Sequence, residues 1–258
     1  QDKYMICESI NIHEDMDKIK SEILRFDGAI ICDITGQTRN DIIKYCFENS
    51  KRIYISPKIS DIIIRGGTDI NLFDSPLLLC RNSGLSFEQR LFKRIFDIVV
   101  SVIGLIILSP FMLIIAAAIK IDDGGSIIYK QKRLTINGKE FFVYKFRSMI
   151  PNAEKNGVPQ LATGSDSRIT RVGKFLRKCS LDELPQLFNI IKGDMSVVGP
   201  RPERPELTEK YEREMPEFKF RLKVKAGLTG YAQVTGVYDT TPYDKLKMDL
   251  MYLSLIHI

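Results

Sequence analysis

The sequence is poor in histidine, with only His13 near its start and His257 one residue from its end among 258 residues. A Ser-His-Asp triad or a multi-histidine zinc site has almost no material to be built from. The five cysteines, Cys7, Cys32, Cys46, Cys80 and Cys179, are scattered, with no Cys-x-x-Cys pair. They offer no cluster of metal-ligand spacing and read as residues of a reducing compartment. No Gly-x-Gly-x-x-Gly follows any strand-like run near the N-terminus, which argues against dinucleotide binding. No signal peptide opens the chain, and a start at Gln1 rather than Met leads to the expectation of further sequence upstream. Any acid, base or nucleophile is therefore expected to be a carboxylate.

Hydrophobic residues make up 44% of the chain, enough for a sizeable core in one or two domains. A formal charge of +6 and a pI near 9.0 favour an anionic partner: nucleic acid, anionic lipid or a phosphorylated small molecule. The basic residues lack aromatics arranged as a stacking platform, so no nucleic-acid partner is expected.

Three regions follow one another. Residues 1–85 alternate strand and helix patterns: AIICDI (29–34) and RIYIS (52–56) as strands, RNDIIKYCFEN (39–49) as the helix between them. This βαβ material predicts an α/β, Rossmann-like N-terminal domain. RNSGLS (81–86) reads as a linker. Residues 86–258 are expected to form a second, mainly α (α+β) domain.

That second domain opens on an uncharged apolar run, residues 98–119. As one helix it would reach about 33 Å, enough for a bilayer core of about 30 Å. Pro110, preceded by Ser109, removes a backbone donor and crowds the carbonyl of Ile106, so a kink or break is expected there. A kinked spanning helix, a re-entrant hairpin over 92–120 and a buried helix are all open on these residues. Charge bears on the choice, because Lys93 and Arg94 precede the run while Lys120, Lys130, Lys132 and Arg133 follow it. A spanning helix ordinarily leaves one flank poor in Lys and Arg.

The rest of the chain is polar and basic. Asn137-Gly138 between two β-prone runs predicts a type I′ hairpin. SRITRVGKFLRK (167–178) predicts a basic amphipathic helix with Ile169, Val172, Phe175 and Leu176 on its apolar face. Then comes SLDELPQ (180–186), where Ser180-x-x-Glu183 matches a capping box. Pro185 belongs in a first helical turn, placing Asp182 and Glu183 at a helix N-terminus where the dipole favours ionised carboxylates. An ionised Asp can serve as nucleophile, and an adjacent Glu can hold Mg²⁺. Capping and catalysis both fit the pattern. Pro200-Arg201-Pro202 holds a guanidinium on stiff backbone suited to a phosphate, and Lys145 and Arg147, two apart on a strand, offer a second cationic pair.

Five segments in order, FKRIFDIVVS (92–101), LSP (108–110), YKFRSM (144–149), SLDELPQLFNIIKGDMSVVGPRPE (180–203) and KAGLTGYAQVTG (225–236), resemble the bacterial sugar transferases. These are monotopic phosphoglycosyl transferases that move a sugar phosphate from a nucleotide diphosphate sugar onto a polyprenyl phosphate. The resemblance spans residues 92–253, and the region before it looks like the Rossmann-like domain of the longer members. It implies Asp182 as the nucleophile that becomes an aspartyl phosphosugar, releasing UMP from a UDP-sugar before undecaprenyl phosphate takes the group. It further implies Glu183 as the Mg²⁺ ligand, Arg201 as a phosphate binder with Lys145 and Arg147 lining the same site, and Ser109-Pro110 as a re-entrant turn. Lys93 and Arg94 are implied as anchors at the lipid headgroups.

The implied setting is the cytoplasmic face of the bacterial inner membrane, at the first membrane step of exopolysaccharide, capsule, O-antigen or glycan assembly. Homo-oligomerisation is left open. The rival expectation is a catalytically silent membrane-bound scaffold in which Ser180 and Glu183 only cap a helix. Tyr231, Thr235 and Ala226 stand where the family commonly has Trp, Asn and Pro, departures that bear on sugar specificity. The family usually continues past DLMYLSLIHI into another amphipathic helix, so a shortened C-terminus is also expected.

Overall fold

The computed structural model describes residues 5–72, 75–80, 85–150, 153, 166–236 and 240–256. His257 and residues 81–84 of the expected linker lie outside these. The chain divides into two compact units, Gln1–Ser60 and Asp61–Ile258.

In the first unit α1 (Met16–Arg25) precedes β1 (Gly28–Ile31), α2 (Gly36–Glu48) and β2 (Arg52–Ile55). The two strands pair in parallel, Gly28 opposite Arg52 and Ile31 opposite Ile55. A parallel pair needs a crossover, which α2 supplies, so the βαβ pattern predicted over 29–56 forms. Ile19 and Ile23, four apart on α1, close over Ile31, Ile42 and Cys46 as the core. Helix α3 (Ile59–Arg65) begins at the junction of the units.

The second unit holds an antiparallel hairpin, β3 (Thr68–Leu72) with β4 (Ser75–Leu79), followed by the long helix α4 (Phe87–Asp123). Ser86 starts α4 with a capping box: its Oγ accepts from the Gln89 amide, and Gln89 Oε1 accepts from the Ser86 amide. Gly124, at φ +72°, ends it in the left-handed conformation that glycine adopts without a Cβ clash.

The helix runs unbroken through Pro110, where two separate arms were one expectation. Proline denies the Ile106 carbonyl its usual donor, and the Ser109 hydroxyl supplies one, Oγ donating to Ile106 O at 2.9 Å. The Ser-Pro pair thus satisfies the acceptor that proline alone would orphan.

One stripe of α4 faces the rest of the unit on both sides of Pro110. Asp97 is buried and accepts from Ser196 Oγ and the Val197 amide, both at 2.9 Å. Gly104 lies against Leu187, and Leu105 and Leu108 join the core of Phe141, Val143, Leu187, Ile190 and Met195. Beyond the proline, Met112, Ile115, Ala116 and Ile119 pack with Phe146 and Leu176. The opposite face stays bare, with Ile106, Phe111, Leu113 and Ile114 60–72% exposed. Among the described residues α4 is the helix long and apolar enough to cross a membrane.

Strands β5 (Ile128–Leu134) and β6 (Glu140–Phe146) form the predicted hairpin, with Asn137 and Gly138 both at positive φ, as a type I′ turn demands. Next come α5 (Arg171–Lys178) and α6 (Gln186–Lys192). On α5 Leu176 is buried as expected, whereas Phe175 is 61% exposed. Strand β7 (Ser196–Val198) pairs in parallel with β8 (Gly227–Thr229), and α7 (Pro205–Glu214), α8 (Tyr231–Thr235) and α9 (Pro242–Ile256) complete the unit.

Asn189 locks α6 to β6. Its side chain is fully buried, Nδ2 donating to Phe142 O at 2.8 Å and Oδ1 accepting from the Tyr144 amide at 3.0 Å. The amide thereby substitutes for a neighbouring strand at a sheet edge. Asn189→Ala should strand both backbone groups and destabilise the unit by about 2–4 kcal/mol. A thermal melt of the detergent-solubilised variant should show the loss, and an unchanged midpoint would refute the assignment.

Candidate active site

Asp182 and Glu183 sit on a 3-10 turn, Leu181–Glu183, between α5 and α6. Ser180 enters the turn at φ +56°, a left-handed conformation that costs an L-residue roughly 1–2 kcal/mol. Pro185 stands at the N-cap of α6, where its missing N–H leaves no hydrogen bond unmade. The capping box does not form. The Ser180 side chain caps nothing, and the Glu183 carboxylate turns away to two cations.

Lys145 Nζ and Arg201 Nη2 both lie 2.7 Å from Glu183 Oε1. Lys145 reaches it because 141, 143 and 145 alternate onto one side of β6, with Phe141 and Val143 buried beneath. Burial by itself would raise the Glu183 carboxyl, but the Arg201 and Lys145 charges outweigh it and hold the group at about 2. Asp182 behaves oppositely. Burial raises its carboxyl, with the Lys145 charge working against the rise and the Glu183 charge adding to it. Burial also pushes the Lys145 ammonium down, more than Glu183 restores. Two adjacent carboxylates are thus driven apart, as happens where they hold different roles.

Arg201 is placed by a segment rich in acceptors and short of donors. Pro200, Pro202 and Pro205 have no N–H, so the backbone there cannot join a sheet ladder by donating at those positions. Its carbonyls are met from outside. Lys93 and the Tyr252 hydroxyl donate to Val198 O, and the Gly227 amide donates to Pro200 O. Arg221 donates to Arg201 O, Arg133 to Pro202 O and the Leu134 amide to Glu203 O. The Arg201 side chain remains 42% exposed.

Other sequence-predicted residues lie elsewhere. Arg147 lies one residue beyond the end of β6. Its guanidinium rests where a side chain on Gly125 would have to go. Lys93 and Arg94, expected at headgroups, turn inward: Lys93 Nζ donates to Val198 O at 2.9 Å, and Arg94 donates to Ile190 O and Ile191 O at 2.7 Å, at the C-terminal end of α6. They fasten the apolar helix to the active-site unit, and Arg94 sets positive charge against the negative end of the α6 dipole. Ser109 and Pro110 lie in mid-helix, between the two cores that α4 joins. Asn189, Arg221 and Asp97 escaped the sequence reading. For Asn189 and Asp97 the available signal is a lone polar residue inside an apolar pattern, as in LFNII and IFDIVV, whereas Arg221 stands among other basic residues in KFRLK.

Among the described residues no group of three or more His, Cys, Asp or Glu could hold a metal. Mg²⁺ commonly takes one or two carboxylates and completes its shell with water and substrate phosphates. The donor set fits that habit: hard oxygens of Asp182, and Glu183 Oε2, whose hydrogen bond is the long 3.5 Å contact to Arg201 Nη1.

The depressed Glu183 carboxyl predicts an acid-labile contribution to stability. Its folded value of about 2 lies below its ordinary 4.5, so the stabilisation is complete above about pH 4.5 and disappears as pH falls toward 2. Asp182, with a raised carboxyl, has the opposite sign, its contribution being present below 3.8 and lost as pH rises. Urea unfolding in mild detergent should show Glu183→Gln less stable than wild type by about 3 kcal/mol at pH 7, with the gap narrowing by pH 3. A gap independent of pH would disprove the linkage.

Comparison with known proteins accords with this geometry. Residues 88–258 match the family described as Bacterial sugar transferase. The UDP-glucose:undecaprenyl-phosphate glucose-1-phosphate transferase of Klebsiella pneumoniae is 43% identical over 195 residues, 74% of this chain and 40% of the relative. The UDP-N-acetylgalactosamine-undecaprenyl-phosphate N-acetylgalactosaminephosphotransferase of Aeromonas hydrophila is 42% identical over 165 residues, 63% of this chain and 39% of the relative. The undecaprenyl-phosphate galactose phosphotransferase of Salmonella typhimurium is 40% identical over 192 residues, 69% of this chain and 40% of the relative. The chain therefore spans about two-fifths of the length of these curated relatives. With its matched segment covering the apolar helix, the carboxylate pair and the Pro-Arg-Pro segment, the chain belongs to the bacterial sugar transferase family.

Proposed function

We propose that the chain transfers a sugar 1-phosphate from a UDP-sugar to undecaprenyl phosphate through a covalent intermediate on Asp182. The observation that carries this reading is the division of labour in the dyad. Glu183 takes both cations, while Asp182, half-buried beside it, forms no ion pair among the described residues.

An Asp182 oxygen attacks the β-phosphorus of the UDP-sugar, forming a P–O bond as the bond from that phosphorus to the bridging oxygen breaks. UMP leaves with the bridging oxygen and its electron pair. A phosphate oxygen of undecaprenyl phosphate then attacks the same phosphorus, the aspartyl P–O bond breaks, and the carboxylate is regenerated. Neither step requires a proton. Splitting the exchange avoids a direct encounter of two anions, and Arg201 and Lys145 supply charge for the transferred phosphoryl oxygens. Mg²⁺ held by Glu183 and Asp182 would offset diphosphate charge as a Lewis acid.

The packing of α4 bears on the membrane arrangement. The same unit packs on its stripe before and after Pro110, whereas a helix crossing the bilayer would leave its domain at one end. This supports a monotopic placement with the bare face in lipid, at the cytoplasmic face of the bacterial inner membrane where UDP-sugars are available. Residues 86–258 are proposed as the transferase domain and 1–85 as a Rossmann-like accessory domain, the parallel β1–β2 pair being its support. The enzyme would serve the first membrane step of exopolysaccharide, capsule or O-antigen assembly.

Detergent-solubilised protein given Mg²⁺, undecaprenyl phosphate and UDP-glucose, UDP-galactose or UDP-N-acetylgalactosamine should release UMP with at least one donor. Asp182→Ala should lower the rate by about 10³-fold or more. Without the lipid acceptor, mass spectrometry should find a phosphosugar on the Asp182 peptide. Release of UDP, or a wild-type rate in Asp182→Ala, rules the mechanism out.

A further inference from the structure

Beneath the Pro-Arg-Pro segment lies a charged cluster that the transfer chemistry does not use. Arg221 and Asp249 each keep only 2% of their side-chain surface exposed, with Arg221 Nη2 2.8 Å from Asp249 Oδ2. That same Nη2 donates to the Arg201 carbonyl, also at 2.8 Å. Arg221 Nη1 lies 3.6 Å from Glu203 Oε1, which Lys245 Nζ approaches to 3.3 Å, and Arg133 stands 3.8 Å from Glu203 Oε2. The guanidinium also sits over the fully buried Phe218 ring, 4.8 Å from its centroid.

A buried guanidinium with this many partners has one orientation open to it, since removing any one would leave charge unpaired in a poorly hydrated interior. Its backbone acceptor is the residue whose side chain meets Glu183. Pro200 and Pro202 flank that residue and cannot donate to hold the backbone themselves. The remaining question is what fixes the peptide from which the Arg201 side chain departs. Tyr252 of α9 donates to Val198 O at the head of the segment, and Asp249, three residues earlier on the same helix, stands within ion-pair distance of Arg221. Three apart on a helix is one face.

Resting on the transfer reaction proposed above, we propose that Arg221, oriented by Asp249 of α9, is a positioning residue that sets the Arg201 phosphate clamp by holding its carbonyl. It touches no substrate. Its effect passes through Arg201, and three consequences distinguish that from a general contribution to the core. The segment 198–204 should loosen when the pair is broken. The Michaelis constant for the UDP-sugar should rise more than the turnover number falls. Arg221 should also matter little once the Arg201 side chain is gone.

The test compares wild type, Arg221→Met, Asp249→Asn, Arg201→Ala and the Arg201→Ala/Arg221→Met double variant, all as the full chain in detergent. Hydrogen–deuterium exchange should be about tenfold faster across 198–204 in Arg221→Met and Asp249→Asn, and unchanged in α2. KM for the UDP-sugar should rise about tenfold, with kcat reduced less than about threefold, and the double variant should be no worse than Arg201→Ala alone. Unchanged exchange across 198–204, or effects that multiply in the double variant, overturns the proposal. Should Arg221→Met fail to fold, Asp249→Asn decides, because it keeps the shape and removes only the charge. If wild type releases no UMP, the transfer reading fails by itself, and the exchange measurement still decides whether Arg221 holds the segment.

Discussion

A single carboxylate oxygen, Glu183 Oε1, receives Lys145 from β6 and Arg201 from the Pro-Arg-Pro segment at equal distance. Three stretches far apart in sequence meet on it, and each must be held independently for the meeting to occur. Asn189 fixes α6 against β6, the donors around Val198 to Glu203 fix the proline segment, and the turn carrying Asp182 is fixed by the elements on either side. The ion pairs do not create this arrangement. Taking three charges out of water costs several kcal/mol each, so the scaffold must bring them together before their attraction can repay it.

The same reasoning explains why α4 is so firmly attached. An apolar helix with one bare face is drawn to lipid, and attachment only at its end would let the site tilt relative to the bilayer. Asp97 binds β7 directly before the proline segment, and Arg94 caps the far end of the helix that the dyad begins. Both candidate-site segments are therefore referenced to the apolar helix with the bare face. The proposed transfer to a lipid-borne phosphate at headgroup depth would require such a reference, because reacting atoms must come within about 3–3.5 Å.

Features governed by local chemistry were legible in the sequence. Asn-Gly predicts its turn because few residues accept positive φ, Pro185 predicts a helix start, and the uncharged run 98–119 predicts an apolar helix. What was not legible depended on partners distant in the chain. Ser180-x-x-Glu183 has the letters of a capping box, yet two cations 38 and 18 residues away outcompete the cap for the carboxylate. Lys93 and Arg94 read as headgroup anchors until carbonyls about a hundred residues later claim them.

With the dyad ionised, the site holds two carboxylates and two cations, close to neutral before any substrate arrives. In the proposed reaction a diphosphate entering it would meet Arg201 already engaged by Glu183, so the guanidinium would have to divide its N–H groups between carboxylate and phosphate or exchange one for the other. A planar fork with five donors can do so without losing its charge, which an ammonium of lowered pKa such as Lys145 does less well. The stiff backbone beneath Arg201 then acquires a purpose. If the base of the side chain moved as well, switching partners would carry the phosphate away from Asp182 instead of settling it there. Rigidity at the carbonyl and freedom at the guanidinium are complementary requirements of one clamp.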